Sequence, residues 1–458
     1  MYKKVKDYIA TIDGVSHTTF DPKGPGVVRI HLVPPEKIKL GLAWTVILNG
    51  QDVIPITFGW AVLLREFINA VNRRSGVAIE DEQIKEIIDE AVGVAKKVFD
   101  KTETKTLKGD LKQIIETLVK IARHQPISTT IEYAPLAKYA RFMAAPHRMD
   151  LMISSMTKDN HWHCNQKCLH CYAAGQVGAN VNEITTEEWK KIIDKCKAAM
   201  IPQLTFTGGE PTLRSDLVEL IDYSKWFVTR LNTNGQLLSG ELCNKLYEAS
   251  LDALQVTFYS SKKEIHNLLV GANGFDKTVE GIKNAINAKL NVSINTPLCE
   301  LNKDYIDTIK YAHEELGVNY FTCSGLILTG SATGDASSNT RLSRKAILEV
   351  LKEAKAYADN NNCEISFTSP GWIDEADLRK LKMMIPSCGA CSSNMAIMPN
   401  GYVAPCQSWL SDDALGNMLT DDWQKIWNSR RCKMLRKQNA NLNELCPLSG
   451  KIEGEENE

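Results

Sequence analysis

The pattern of apolar and polar positions predicts a small β-rich segment near the start of the chain. Residues 27–33 (VVRIHLV) alternate in hydrophobicity, which is typical of a half-buried strand. Residues 44–48 and 53–56 flank the pair Asn49-Gly50, which readily accepts positive φ. This arrangement predicts a β-hairpin.

Two longer segments that follow have apolar residues at the spacing of an amphipathic helix. They span residues 61–71 and 80–99. Strands followed by helices predict a small α+β domain at residues 1–100, compatible with a winged-helix-like module. A further helix is predicted at residues 107–121, within a helical connector of residues 101–148 that is punctuated by prolines.

From residue 149 onward, short β-rich runs alternate with amphipathic helices. The predicted strands span residues 151–154, 203–207, 227–232, 253–259, 291–295 and 320–324. The predicted helices between them span residues 186–200, 213–225, 239–250, 274–288 and 304–316. This alternation indicates βαβ units, so residues 149–380 are predicted to be an α/β domain with a partial (β/α)6 barrel. In parallel barrels, functional residues lie at the carboxyl ends of the strands.

Residues 381–458 differ from the region before them. They are rich in Cys, Asn, Gly and Pro, and their hydrophobic periodicity is weak. Small folds of this kind usually need a disulfide or a metal for stability. We therefore expect a separate C-terminal domain that contains a metal site.

Charge and length exclude several classes of protein. The 458 residues include 54 Lys and Arg and 55 Asp and Glu, which gives a formal net charge of −1. This balance disfavours a general binder of nucleic acids or anionic membranes. There is no apolar run near the ~20 residues of a membrane helix, and the first residues lack the apolar core of a secretory signal. We expect a cytoplasmic protein without nucleic-acid or membrane partners.

The 13 cysteines indicate where the chemistry lies, because none of them precedes Cys164. Clustered thiols in a long chain without a secretory signal favour metal ligation or thiol chemistry over structural disulfides. Cys164, Cys168 and Cys171 form a C-x3-C-x2-C motif soon after the first strand of the predicted barrel. Thiolates suit zinc and iron–sulfur clusters. Zinc with His163 or His170 as fourth ligand and chance clustering are the alternatives.

A second motif, Gly208-Gly209-Glu210-Pro211, follows the second strand of the predicted barrel. Its glycines permit a close backbone approach to a ligand, and Glu210 adds a carboxylate. Together and in this order, the two motifs resemble the radical S-adenosylmethionine (SAM) superfamily over roughly residues 149–333.

The resemblance implies a [4Fe–4S] cluster whose open iron binds the amino and carboxylate groups of SAM. The cluster ligands that it implies are Cys164, Cys168 and Cys171. It also implies contacts with SAM from the glycine-rich strip and from residues near the strand ends. These candidate cofactor-binding residues are Tyr172, Gly208, Gly209, Glu210, Asn232, Asn234, Thr257, Tyr259 and Asn295. The alternative for the residues near the strand ends is a loop position that satisfies local backbone groups.

A second group of cysteines has the spacing C-x2-C-x9-G-x4-C, with further cysteines beyond it. It resembles the auxiliary-cluster extension of the superfamily (SPASM) in its shorter, one-cluster "twitch" form, because the second cysteine run of the full form is absent. The ligands assigned to an auxiliary [4Fe–4S] cluster are Cys388, Cys391, Cys406 and Cys446. Cys432 is the competing fourth ligand, and an open three-cysteine site, a zinc knuckle and a redox pair are the alternatives.

The resemblance also implies a reaction. A donor such as flavodoxin or ferredoxin reduces the first cluster, SAM is cleaved to a 5′-deoxyadenosyl radical, and this radical abstracts hydrogen from the substrate. Similar enzymes with an auxiliary cluster are often peptide maturases, so we expect a ribosomally made peptide or protein that receives a crosslink, a thioether or an excision. The N-terminal unit is compatible with leader-peptide binding by strand addition. The alternatives are a small-molecule radical SAM enzyme and a non-catalytic iron–sulfur or zinc-binding interaction protein.

Overall fold

A computed structural model describes most of the chain. The described residues are 2–12, 14–20, 28–35, 38, 41–48, 52–74, 81–122, 143–411, 413–439 and 445–449. The turn pair Asn49-Gly50 lies outside them. The chain divides into two compact units, Met1–Ala144 and Ala145–Glu458.

One layer of the first unit is a four-stranded antiparallel sheet. Its strands follow one another in chain order: β1 (Ser16–Phe20), β2 (Val28–Val33), β3 (Trp44–Leu48) and β4 (Asp52–Ile56). Strands β3 and β4 pair as the predicted hairpin requires. The strand β1 was absent from the sequence prediction, because SHTTF has a weak apolar pattern.

Helices supply the rest of the first unit. They are α1 (Tyr2–Ile9), α2 (Phe58–Asn72), α3 (Asp81–Val98) and α4 (Thr104–Ala122). Helix α2 begins after Thr57, whose side chain accepts a hydrogen bond from the amide of Trp60, as a good N-cap residue does. Helix α4 buries Leu111 and Ile114 in the same core as α2 and α3, so it packs as part of this unit.

The second unit is built on one large sheet. Its strands are β5 (Arg148–Ser154), β8 (Gln203–Gly208), β9 (Val228–Thr233), β10 (Ala253–Thr257), β11 (Val292–Pro297), β12 (Tyr320–Ser324), β13 (Glu364–Phe367), β14 (Asn394–Ile397) and β15 (Val403–Ala404). The spatial order is β13-β12-β11-β10-β9-β8-β5-β14-β15, and all neighbours from β13 to β14 are parallel. A separate small hairpin joins β6 (Thr157–Lys158) to β7 (His161–Trp162).

Helices alternate with these strands. They are α5 (Thr186–Ala198), α6 (Leu217–Tyr223), α7 (Gly240–Glu248), α8 (Lys263–Val270), α9 (Phe275–Asn287), α10 (Tyr305–Glu314), α11 (Asp335–Ser338), α12 (Arg344–Asn360), α13 (Glu375–Lys380), α14 (Trp423–Trp427) and α15 (Arg430–Asn439). All six strands predicted for the barrel are present, so the α/β fold with a mostly parallel, partly closed barrel is confirmed.

The C-terminal segment is continuous with the barrel sheet. Strand β14 pairs in parallel with β5, the first barrel strand, and β15 returns antiparallel to β14. Cys391 lies three residues before β14, and Cys406 lies two residues after β15. The second cysteine group is therefore attached to the sheet that carries the first motif.

Within the described ranges, no helix is both long enough and apolar enough to cross a bilayer.

Candidate functional site

The loop that carries Cys164, Cys168 and Cys171 is fixed to its surroundings through its backbone. The amides of Lys167 and Leu169 donate to carbonyl groups at the end of α8, at 3.0 and 2.9 Å. The carbonyl of Cys171 accepts a hydrogen bond from a neighbouring loop, at 2.9 Å from the amide nitrogen of Ser331.

Gly330 explains how that neighbouring loop comes so close. Its φ is +59°, and a Cβ atom there would lie 2.3 Å from the carbonyl oxygen of Cys171. Any other residue would combine backbone strain with a collision. The loop after β12 therefore helps to hold the third cysteine in place.

The glycine-rich strip lies beside the cysteine loop. The thiol of Cys164 donates to the carbonyl oxygen of Gly209 at 3.3 Å. Gly208 has φ +144°, and a Cβ atom on it would lie 2.3 Å from the carbonyl oxygen of Ser154 at the end of β5. We predicted that these glycines allow a ligand to approach closely. In the structure, the close approach is between the ends of β8 and β5.

Glu210 joins the ends of two neighbouring strands. One carboxylate oxygen accepts hydrogen bonds from the amide of Thr212 at 3.0 Å, from its hydroxyl at 2.5 Å and from the hydroxyl of Thr233 at 2.6 Å. The other oxygen accepts from the amide of Asn234 at 2.8 Å. Burial raises the pKa of Glu210 despite these four donors. The side chain thus connects the end of β8 to the end of β9.

One cavity of about 530 Å³ contains the predicted cofactor-binding residues. All nine of them line it: Tyr172, Gly208, Gly209, Glu210, Asn232, Asn234, Thr257, Tyr259 and Asn295. The three cysteines of the first motif and Cys446 also line it. The volume falls within the roughly 300–1,000 Å³ that is usual for a small-molecule site.

The barrel lumen below the strand ends is polar, which the sequence analysis missed. Further lining residues from the strands are Arg148, Thr205, Thr207, Arg230, Thr233, Gln255, Pro297, Thr322 and Ser324. The sequence signal was available, because polar residues recur two positions apart on these strands. They are Gln203, Thr205 and Thr207 in β8, Arg230 and Asn232 in β9, and Gln255 and Thr257 in β10. Strands of a parallel sheet that is covered on both faces are usually continuously apolar. Polar residues at every second position therefore indicate a hydrated or ligand-binding lumen.

Burial controls the ionisation of the first cysteine group. It raises the pKa of Cys164 to about 12, and it also raises the pKa of Cys168 and Cys171. The raised pKa values favour the neutral thiols. A bound metal cation would favour the thiolates instead, because it stabilises their negative charge. Three thiols at the edge of a cavity fit a cluster with one open position. His170, the alternative zinc ligand, has its Nε2 atom 2.8 Å from the hydroxyl of Thr340, and burial lowers its pKa to about 4.

The second cysteine group brings together five sulfur atoms. The thiol of Cys388 hydrogen-bonds Cys446, which raises the pKa of Cys388 and lowers that of Cys446. Cys391 and Cys432 form a similar pair, in which the pKa of Cys391 is raised and that of Cys432 is lowered. Cys406 interacts electrostatically with members of both pairs. A [4Fe–4S] cluster is completed by four thiolates, so these five cysteines can supply one such cluster and leave one cysteine over.

Cys432 has an additional partner. Arg436 places Nη2 3.2 Å from its sulfur and donates through Nε to the carbonyl of Cys391 at 2.8 Å. Within the described ranges, no group of three or more His, Cys, Asp and Glu side chains is arranged to hold a single metal ion.

Comparison with family models identifies the domains of the second unit. Residues 163–312 match the radical SAM superfamily, and residues 388–448 match SPASM, an iron–sulfur cluster-binding domain. The chain thus contains a radical SAM domain followed by a C-terminal SPASM domain. These domains imply a [4Fe–4S] cluster with SAM in the barrel and an auxiliary iron–sulfur centre in the C-terminal segment.

Curated relatives match part of the chain. A probable GTP 3′,8-cyclase of Thermococcus kodakarensis is 34% identical over 153 residues, which cover 32% of this chain and 50% of that protein. An AdoMet-dependent heme synthase of Oleidesulfovibrio alaskensis is 31% identical over 172 residues, which cover 37% and 44% of the two chains. This chain therefore spans about half the length of the curated relatives that it matches.

Solved structures with the same fold match more of the chain. Streptococcus suis SuiB bound to precursor peptide SuiA is similar with a TM-score of 0.60 at 15% identity, over 87% of this chain and 88% of that one. The structure of anSMEcpe with bound AdoMet and Cp18Cys peptide is similar with a TM-score of 0.52 at 18% identity, over 65% and 84% of the chains. At these identities the likeness concerns the fold.

Proposed function

We propose that this chain is a radical SAM enzyme that cleaves SAM reductively and oxidatively modifies a peptide or protein. The observation that supports it best is the composition of one cavity. The first cysteine group, the residues expected to bind SAM and Cys446 of the auxiliary group all line it. A substrate in this cavity would be next to the site of radical formation and to the auxiliary cluster.

Cys164, Cys168 and Cys171 would hold the SAM-binding [4Fe–4S] cluster. With SAM, this cluster supplies a 5′-deoxyadenosyl radical, which can remove hydrogen from an unactivated carbon. The chain itself would hold the reactants in position. The backbone contacts of Lys167, Leu169 and Ser331 support the positioning role, because they fix the loop on both sides of Cys168 and at Cys171.

The strand ends would bind SAM. Gly208 and Gly209 present backbone groups beside Cys164. These groups would contact the amino group of SAM, which would bind the open iron of the cluster. Glu210 would act by holding the strip and Asn234 in register, since all four of its hydrogen bonds are internal. The remaining contacts would come from lining residues near the nucleoside. These are Tyr172, Asn232, Thr257, Tyr259 and Asn295.

The auxiliary cluster would use Cys388, Cys391, Cys406 and Cys446. Cys446 is favoured over Cys432 because it lines the cavity and contacts Cys388. Cys432 already has Arg436 as a charged partner. A cluster in this place could accept the electron left on a substrate radical, which would make the net reaction an oxidation.

A peptide substrate is supported by the fold and by the first unit. The matched structures of SuiB and anSMEcpe contain bound peptides. In the first unit, β1 and β4 are the edge strands of the sheet. The carbonyl of His17 on β1 is capped by Asn72, and β4 contains Pro55, which lacks an N–H group. A leader peptide could pair with either edge strand. On each edge one backbone group is not available for pairing: the carbonyl of His17 on β1 and the missing N–H of Pro55 on β4. Flavodoxin or ferredoxin is the proposed electron donor.

A small-molecule substrate is the second candidate, because the curated relatives are named as a GTP cyclase and a heme synthase. Mass spectrometry of a short peptide encoded beside this chain and co-expressed with it distinguishes the two. A loss of two hydrogens, absent when Cys164, Cys168 and Cys171 are all replaced by alanine, would support a peptide maturase. If the peptide mass is unchanged after co-expression with the wild-type chain as well as with the triple-alanine variant, the small-molecule function is favoured.

A further inference from the structure

An arginine lines the barrel lumen below the expected SAM contacts, two residues before Asn232 on β9. Arg230 is three residues before Thr233, the last residue of β9, and thus about 10 Å below the carboxyl edge of the sheet. It lines the cavity. In the parallel register it lies beside Thr205 of β8, which lies beside Asp150 of β5.

Positive charge exceeds negative charge at this level of the barrel. Arg148 pairs with Asp150, with Nε 2.9 Å from the carboxylate oxygen. Among the described residues, the side chain of Arg230 forms no hydrogen bond or ion pair, and its electrostatic neighbours are these same two side chains. Burial and the nearby Arg148 lower the pKa of Arg230 to about 10, so it remains a cation at neutral pH. Two guanidinium groups share one carboxylate, which leaves a net charge of about +1.

The remaining polar groups of the lumen do not neutralise that charge. Glu210 is the one carboxylate among the described cavity-lining residues, and its oxygens accept from donors at the other end of β9. The side chain of Thr205 is 3% exposed, and its hydroxyl has no hydrogen-bond partner among the described residues. Buried polar groups without partners are rare in folded proteins. Arg230 is partly exposed to the cavity, where it presents a positive charge that no lining carboxylate neutralises.

We propose that Arg230 and Thr205 form a subsite that binds a carboxylate group of the substrate. A carboxylate accepts two parallel hydrogen bonds from a guanidinium and a further one from a hydroxyl, which matches the unused donors. Its single negative charge also matches the net charge of the site, whereas a phosphate dianion or a triphosphate would exceed it. This subsite rests on the proposed function and makes it more specific. It requires that the substrate carries an acidic side chain, a free C-terminus or a similar group.

Small probes test the subsite on the full-length chain without SAM or turnover. Saturation-transfer NMR would measure the binding of propionate, which resembles an acidic side chain, and of N-acetylglycine, which resembles a peptide C-terminus. Propionamide is the neutral control, and methyl phosphate is the control for other anions. We expect a carboxylate to bind more tightly than both controls, and the preferred carboxylate identifies its source.

Substitutions locate the binding. Because a hydrogen bond to a charged group contributes about 1.5–3 kcal/mol, Arg230→Met should raise the apparent Kd for the preferred carboxylate by about 10- to 150-fold. Thr205→Val should raise it by about 2- to 10-fold. Arg230→Lys keeps the charge and should bind more tightly than Arg230→Met. The matched control is Arg379→Met, which removes an exposed arginine of α13 and should leave binding unchanged.

Several outcomes would overturn the subsite. They are equal binding of propionate and propionamide, a preference for methyl phosphate, or wild-type affinity in folded Arg230→Met. If that variant does not fold, wild-type affinity in both Arg230→Lys and Thr205→Val has the same meaning. The proposed function fails separately, if the reconstituted wild-type protein forms no 5′-deoxyadenosine while the probes still bind.

Discussion

Glu210 provides the sharpest test of how the site is held together. The change Glu210→Gln replaces one carboxylate oxygen with an NH2 group and removes the charge. The amide oxygen can still accept from Thr212 and Thr233. The NH2 group would then face the backbone N–H of Asn234, which loses its acceptor at 2.8 Å.

The expected cost follows from those contacts. A hydrogen bond to a charged acceptor contributes about 1.5–3 kcal/mol, and a buried donor without a partner costs about 1–3 kcal/mol. Since the two terms overlap, we expect the free energy of unfolding of the second unit to fall by about 2–4 kcal/mol. The matched control is Glu241→Gln on α7, an exposed residue that pairs with Lys245. This substitution should change the free energy of unfolding by less than about 0.5 kcal/mol.

Urea unfolding followed by far-UV circular dichroism gives the stability difference. Hydrogen exchange measured by mass spectrometry locates it, because a local loss of 2–4 kcal/mol accelerates exchange of the Asn234 amide by about 30- to 1,000-fold. A Glu210→Gln protein as stable as Glu241→Gln, with unchanged exchange after β9, would refute the bridging role of Glu210.

Three further predictions concern other parts of the second unit. Cys446→Ser should reduce the iron content of the anaerobically reconstituted chain from about eight atoms to about four, whereas Cys432→Ser should retain about eight. The opposite result would make Cys432, and not Cys446, the fourth ligand of the auxiliary cluster. His266 is fully buried and accepts from the amide of Tyr259, and burial lowers its pKa to about 4, so it is neutral in the folded state. Its contribution to stability is present above pH ~6.5 and is lost as pH falls towards 4, by at most about 3 kcal/mol. Burial lowers the pKa of His147 and His170 to about 4 as well. His266→Gln should therefore reduce, without abolishing, the loss of stability to urea between pH 7 and 5, and an unchanged pH slope would contradict this. Gly330→Ala should lower the iron content of the first cluster, because its Cβ atom would collide with the carbonyl of the third cluster cysteine; full iron content would show that the loop can adjust.

The sequence was sufficient for the barrel and for the residues of its strand ends. Strands and helices recur with clear apolar periodicity, and the carboxyl ends of parallel strands converge, so Asn232, Thr257 and Asn295 could be placed in one site before any coordinates. The nine candidate SAM contacts and the first cysteine group line one cavity.

Other features depend on contacts between residues that are distant in the sequence. Strand β14 pairs with β5 across more than 230 residues, and a four-residue run carries no signal of its partner. The Glu210 bridge requires the register of β8 against β9. Arg230 was missed although its position could be inferred, because we analysed the strand ends and overlooked the alternating polar residues within the strands.

The most direct test of the central claim is the formation of 5′-deoxyadenosine. The full-length chain, reconstituted anaerobically with iron and sulfide and reduced with dithionite, is incubated with SAM, and the products are quantified by mass spectrometry. We predict 5′-deoxyadenosine and methionine in equal amounts, and none above background when Cys164, Cys168 and Cys171 are replaced by alanine. The control Cys196→Ala, a buried cysteine of α5 outside both groups, should behave like the wild type. An iron-loaded wild-type protein that produces no more 5′-deoxyadenosine than the triple variant would contradict the account.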